Sequence, residues 1–309
     1  MTSRRFTSFS WGVFAYTLLV ILWGYFLRIS ESGDGCGTDW PVCRAAMSPE
    51  PTSFSTLVEL THRLTSGLVL VLALVMAVWA FRRYPRGSAV RFGATAALVF
   101  TITESLFGAV VVVFGWVAGD VSAGRIFIRP FHVTNTFLLM AAFALTALWA
   151  SRDTARVPSI AGPKARPVLW AAVAVLALAW TGSWTGLAAT AFSAGSLREG
   201  VDQYLDPEHL LIVLRLLHPL LAIFVAVLLA RTASRLRASS SDPLIHPLSS
   251  ALVVLAVTQL VLGPLTVALG NPIWARLVHL ALADALWVAL AFAGAIALER
   301  PGAPLKSDR

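Results

Sequence analysis

Val58-Glu59-Leu60-Thr61-His62-Arg63-Leu64-Thr65-Ser66-Gly67 opens an apolar run that continues to about Phe81. That run suffices for a helix across a bilayer, which needs roughly 20 apolar residues for a hydrocarbon core of about 30 Å. Its leading edge nevertheless carries a carboxylate, an imidazole and a guanidinium. Ionisable groups inside a membrane are costly and mark functional sites by default. Glu59 and His62 are three apart, so on a helix they share a face. Three more apolar spans each hold a histidine at similar depth: His132, His218 and His279.

The rest of the chain fits that opening. Hydrophobic residues make up 57% of the 309 and charged residues 13%. Such a composition reads as an all-α integral membrane protein and excludes a soluble core. Eight spans follow from the apolar runs: Trp11–Leu27, Thr56–Phe81, Phe92–Ala118, Pro130–Ala150, Val168–Phe192, His209–Ala230, Leu248–Leu269 and Ile273–Leu298. Arg4 and Arg5 precede the first span. No small-residue cleavage site follows it, so it reads as a retained helix. Residues 28–55 and 193–208 read as polar loops, and Asp120–Arg129 as a short polar link.

Basic residues set the orientation. The N-terminus, the 82–91 loop, the 151–166 linker with Pro158 and Pro163, the 231–247 loop and the C-terminal tail hold most of the Lys and Arg. Both termini are therefore expected in the cytoplasm of a cell-membrane protein, with the 28–55 loop on the outer face. The net charge of +8 is explained by this bias; it does not point to nucleic acid. The two cysteines, Cys36 and Cys43, both lie in the outer loop. In an oxidising compartment they are expected to pair, although two free thiols are the alternative.

The chain also repeats itself. Glu104, Gly108 and Gly115 in the third span match Gln259, Gly263 and Gly270 in the seventh, with identical spacing. Arg129-Pro130-Phe131-His132 matches Arg276-Leu277-Val278-His279. His62 precedes Glu104 by 42 positions, and His218 precedes Gln259 by 41. Two pseudo-twofold-related four-helix bundles are expected, residues 1–155 and 156–309, related by an axis along the membrane normal. Gly108 and Gly263 are expected to let helix backbones approach closely.

Four imidazoles at one depth, two per half, suit a haem in each half. Copper or zinc sites bring Cys, Met or carboxylate ligands at closer spacing. A haem needs an axial histidine and an apolar slot, and cations to meet its propionates. Arg63, Arg129, Arg215 and Arg276 lie within three residues of the four histidines. They suit either propionates or lipid headgroups. The halves differ in one respect: Glu59 sits one turn from His62, whereas Arg215 takes that place beside His218. A carboxylate at a haem edge accepts protons or stabilises positive charge; the other reading of Glu59 is a pair with Arg63.

With those residues in view, the sequence resembles the heme A synthase family. The carrying stretches are Ser32-Gly33-Asp34-Gly35-Cys36-Gly37-Thr38-Asp39-Trp40-Pro41-Val42-Cys43, Glu59-Leu60-Thr61-His62-Arg63, Glu104-Ser105-Leu106-Phe107-Gly108 with Phe114-Gly115, and Phe131-His132. The resemblance implies an oxidoreductase that converts the ring-D methyl of heme O to a formyl group, making heme A for cytochrome c oxidase. It implies His62 and His132 flanking the substrate haem, with Glu59 catalytic, and His218 and His279 ligating a resident haem b. It makes the lipid bilayer the medium, and heme O synthase and oxidase assembly factors the partners; a homo-oligomer is compatible with it. The sequence departs from the family pattern at three places: Glu104 stands where glutamine is frequent, Pro219 follows His218, and the loop after Thr185-Gly186 lacks a Gly-Pro-His-rich run.

Two other functions fit the same histidines: a di-haem cytochrome b that carries electrons, and a haem-binding assembly protein without turnover. Glu59 and the cysteine loop favour the enzyme, since a carrier needs neither. Pro219 is expected to kink the sixth span at the Arg215 carbonyl. Asp284, about 140° round the helix from His279, is expected to bond to another helix. His209 and His246 read as ordinary surface residues.

Overall fold

A computed structural model describes residues 2–47, 51–162, 165–194 and 197–299. Pro163 of the expected linker and the basic tail beyond 299 lie outside these residues. Among the described residues the chain is all-helical, and eight helical stretches are long and apolar enough to span a membrane. The helices are α1 (Thr2–Ile29), α2 (Phe54–Arg83), α3 (Ala89–Val113), α4 (Ala123–Arg152), α5 (Ala165–Ala191), α6 (Leu197–Leu205), α7 (Leu210–Leu214), α8 (Leu217–Ser239), α9 (Ile245–Ala268) and α10 (Ile273–Leu298).

Local chemistry sets the helix ends. Ser53, Ser88 and Ser122 cap α2, α3 and α4, accepting from the amides of Thr56, Arg91 and Arg125. A serine oxygen there satisfies an amide that the first turn leaves without a partner. The expected polar link 120–129 is therefore mostly the first turns of α4. The 193–208 loop likewise contains α6. Gly115 and Gly270 end α3 and α9 in the same way, with φ of 67° and 79°. In both, the next residue's amide reaches back five positions, Trp116 to Val111 O and Asn271 to Thr266 O, each at 2.8 Å. This cap requires a left-handed residue, which glycine supplies without strain; it is the physical reason for the glycine repeat.

Two prolines free carbonyls that α5 then occupies. Pro130 lies inside α4 and leaves the Ile126 carbonyl without its helical donor; Trp184 Nε1 donates to it at 3.0 Å. Pro219 leaves the Arg215 carbonyl, and the sixth span divides there into α7 and α8, a sharper interruption than the expected kink. Thr185 Oγ1 donates to that carbonyl at 3.4 Å. Backbone left open at membrane depth needs such protein partners, because lipid offers none.

Packing joins the spans into two closed sets of four. Neighbours run α1–α2–α3–α4 and back to α1, then α5–α8–α9–α10 and back to α5. The sets meet through α4 with α10, α4 with α5 and α1 with α10. α4 is the central element, buried along most of Phe137–Ala150. Gly93 of α3 lets that helix approach it: a Cβ there would come within 2.5 Å of Thr146 Oγ1 of α4. Gly108 does not work this way; a Cβ there meets nothing within 4 Å, because Gly108 borders a cavity. Leu64, Leu68, Val71 and Leu74 of α2 are exposed and form a lipid-facing stripe. At the terminal end, Arg152 of α4 bonds Asp242 at 2.6 Å and Glu299 at 3.0 Å. Burial pushes the Asp242 carboxyl up, but the Leu244 amide and the Arg152 guanidinium outweigh it and hold the group below the usual carboxylate range.

Candidate functional site

The cysteine loop is built onto the start of α2. Cys36 and Cys43 form a disulfide with Cα atoms 4.9 Å apart. Gly35 lies against the backbone of Ser55 and Thr56, where an added Cβ would come within 2.3 Å, so no larger residue fits. Thr56 Oγ1 donates to Gly35 O at 2.6 Å. Glu59, only 3% exposed, accepts from the Cys36 amide at 2.8 Å and from Arg63 at 2.5 and 3.1 Å. Arg63 also donates to Asp39 O at 2.6 Å and Val42 O at 3.2 Å. The pair between Glu59 and Arg63 is formed, and Arg63 is tied to the loop.

Beneath this loop, α1–α4 enclose a cavity of about 480 Å³. Glu59, His62, Arg63, Arg129 and His132 all line it, so the sequence-predicted first-half residues converge on one space. His62 Nδ1 is buried with no partner, an orphan that calls for a ligand. His132 is held on both sides: Nε2 lies 3.1 Å from Glu104 Oε1 and Nδ1 lies 3.4 Å from Arg28. Glu104 further accepts from Thr136 and Asn135, each at 2.6 Å. Phe107 stacks on His132 at 5.9 Å.

The second pair sits differently. The rings of His218 and His279 face each other with centroids 6.3 Å apart. His218 Nδ1 lies 3.2 Å from Leu178 O and 3.3 Å from Thr181 Oγ1, an anchorage typical of metal-ligating imidazoles. His279 Nδ1 is buried without a partner, and Gln259 Nε2 donates to the His279 carbonyl at 2.8 Å. Arg215 bonds Gln203 at 2.8 Å and lies 4.5 Å over the Tyr204 ring, so α6 holds it. Arg276 bonds Gly186 O and Thr190. Of the four arginines near the histidines, Arg63 and Arg129 reach the cavity, and Arg129 Nε is without a partner.

Sequence reasoning missed four positions. Arg28 and Arg125 line the cavity although they were legible only as sparse outer charges. Gly24 of α1 and Gly182 of α5 are the other two. A Cβ on Gly24 would come within 2.8 Å of His62 Cε1, and one on Gly182 within 2.9 Å of His218 Cε1. Each glycine clears the space for a histidine ring. The offsets differ, 38 positions from Gly24 to His62 and 36 from Gly182 to His218, so spacing gave no signal for this pair. Asp284 accepts from Tyr25 of α1 at 3.4 Å, the interhelical bond expected for it. His209 is no ordinary surface residue: it caps α7 through the Leu211 amide and stacks on Phe192.

An eight-span helical membrane protein with paired histidines, a cavity beneath a disulfide loop and an internal repeat defines the class. The chain belongs to the COX15-CtaA family of cytochrome oxidase assembly proteins, whose model matches residues 7–291. It is 39% identical over 297 residues to a Thermus thermophilus protein named protoheme IX farnesyltransferase, covering 96% of this chain and 49% of that one. The chain thus spans about half the length of that relative. It is 35% identical over 98 residues to the heme A synthase of Halalkalibacterium halodurans and 38% identical over 98 residues to that of Shouchella clausii. Each of these matches covers 32% of this chain and 33% of the relative.

Proposed function

We propose that this protein is a heme A synthase, oxidising the ring-D methyl of heme O to a formyl group for cytochrome c oxidase. The observation that carries this reading is the first-half cavity, lined by both His62 and His132 and floored on its loop side by Glu59. A carrier needs two fixed haems; an enzyme needs space for a substrate to enter and leave. Family membership and the heme A synthase relatives support it.

In this reading the first four spans hold heme O between His62 and His132, and the last four hold a resident haem b between His218 and His279. The second pair fits that group. His218, anchored through Nδ1 by Leu178 O and Thr181, and His279, with ring centroids 6.3 Å apart, would hold the haem iron. Haem b supplies one-electron redox chemistry when bound. Leu178 and Thr181 orient His218, and Gly182 admits its ring. Glu59 takes up charge at the reacting edge, with Arg63 and the Cys36 amide fixing its carboxylate. Arg28, Arg125 and Arg129 meet the propionates. The disulfide loop and both substrate-side histidine ends face the outer side of the cell membrane, and the termini face the cytoplasm. A haem farnesyltransferase is the proposed supplier of the substrate, supported by the name and double length of the Thermus relative.

The test is pigment extraction from a host that makes heme O but no heme A, carrying this chain. Heme A among the extracted pigments is the expected result. Untouched heme O beside protein that holds only heme B would instead make it an electron carrier.

A further inference from the structure

The first-half cavity changes character along its length. It follows α1 from Thr17 to Arg28, roughly 16 Å at the helical rise. At the loop end stand Arg28, Arg125 and Arg129. Among the described residues none of these three forms an ion pair with a carboxylate. The Arg125 guanidinium donates to the carbonyls of Val117 and Asp120. His62, Glu104 and His132 occupy the middle. At the far end the walls are Val20, Ile21, Val69, Leu70 and Leu139. Thr101 turns its hydroxyl back to Ala97 O, and Thr17, whose buried hydroxyl has no partner, also lines this end. Leu139 lies two turns beyond His132, roughly 10 Å deeper.

A bare porphyrin does not need that deep end. Apolar surface is stabilised there only by an apolar occupant, at about 25 cal/mol per Å² removed from water. The polarity sequence of cations, then imidazoles, then hydrocarbon, matches a ligand with anionic groups at one edge, a metal at its centre and a long hydrocarbon chain at the opposite edge. We propose that the inner end of this cavity, walled by Val20, Ile21, Val69, Leu70 and Leu139, is a slot for the isoprenoid tail of the substrate haem, and that the slot sets which ring edge meets Glu59. The inference rests on the heme A synthase reading. With the tail inward, the propionates point to Arg28, Arg125 and Arg129. Ring D carries one propionate and also the methyl to be oxidised, so that methyl lies at the loop end. Glu59, one turn outward of His62, and Glu31 are the carboxylates that line that end. Rings C and D each carry a propionate and a methyl, so the inward tail turns their shared edge towards Glu59.

Haem titration of the purified full chain in lipid nanodiscs tests this, with heme O and heme B as the two probes. The signal counted is the absorbance change that disappears in the His62→Ala/His132→Ala double variant, which excludes the second-half haem. The wild-type protein is expected to bind heme O at least tenfold more tightly than heme B. Val69→Phe and, separately, Leu139→Phe are expected to weaken heme O tenfold or more and to leave heme B within twofold. The second-half haem spectrum reports that each variant is folded. Equal wild-type affinity for the two haems would overturn the slot without any variant. Equal weakening of both haems, or of neither, would overturn it as well. Absence of any His62-dependent uptake would overturn the substrate-site reading, and the slot with it.

Discussion

The two halves repeat the same devices and finish them differently. Both seat a histidine against a glycine, at Gly24 and Gly182, and both end the following helix pair with a left-handed glycine cap. In the second half the two imidazoles face each other at 6.3 Å, and α6 holds Arg215. In the first half the corresponding volume is open, His132 is bound by Glu104 and Arg28, and a buried carboxylate is pinned under a disulfide loop. On the proposed function, one frame serves retention in one place and exchange in the other. The difference lies in a few polar side chains at the outer ends of the helices, not in the helices themselves.

The sharpest way to break this comparison is Glu59→Gln. It keeps the shape and removes the charge, and a positioned acid–base group is worth about 10²–10⁴ in rate. Heme A extracted from cells is expected to fall at least about a hundredfold, with heme O or a partly oxidised haem accumulating and the second-half haem retained. Normal heme A output would remove the catalytic role.

His218→Ala or His279→Ala attacks the other half. Most of the co-purifying haem b and its low-spin spectrum are expected to disappear, read as haem per protein. Unchanged haem content in both variants would sink the assignment.

The glycines sharpen the comparison further. Gly24→Val should displace the His62 ring and weaken haem uptake in the first half alone, and Gly182→Val should do so in the second alone. A severalfold loss confined to one half is expected, since the clashing atoms are a ring edge that can shift. Losses spread over both halves would show that the glycines act on packing in general.

The smallest expected effect is at the disulfide. Cys36→Ser/Cys43→Ser is expected to lower stability towards denaturant by about 2 kcal/mol and reduce heme A output severalfold, because the Cys36 amide helps hold Glu59. Two thiols that label freely in the denatured, unreduced wild-type protein would remove the bond from the account.

Much of this was legible in the chain because a bilayer imposes strong rules. Eight apolar runs give eight spans, and an ionisable residue within one stands out. His62, His132, Glu59 and the cysteine pair carried their meaning in residue type and spacing. A kink at Pro219 was legible because proline removes a specific hydrogen bond; the division of the span into two helices was not. What escaped depended on direction rather than identity. The role of Gly108 was misread because a glycine seen in sequence does not say whether backbone or empty space lies beyond it. Arg28 was missed because a cation at a span end has the same look whether it turns to headgroups or inward. The caps at Ser122 and His209 were missed because apolar content, which located the spans, is silent about where polar turns begin to coil.

The clamp at Arg152 has a consequence for how the molecule is made. Arg152 leaves synthesis at the end of the fourth span, Asp242 two spans later, and Glu299 just after the eighth. Membrane helices accumulate in chain order, and early units wait for their later partners. The guanidinium therefore has no complete set of acceptors until the last helix has been inserted, and Thr154 likewise waits for Glu299. Four side chains act as a completion seal, so a chain truncated before Glu299 would leave the ribosome with only the Arg152–Asp242 part of the latch.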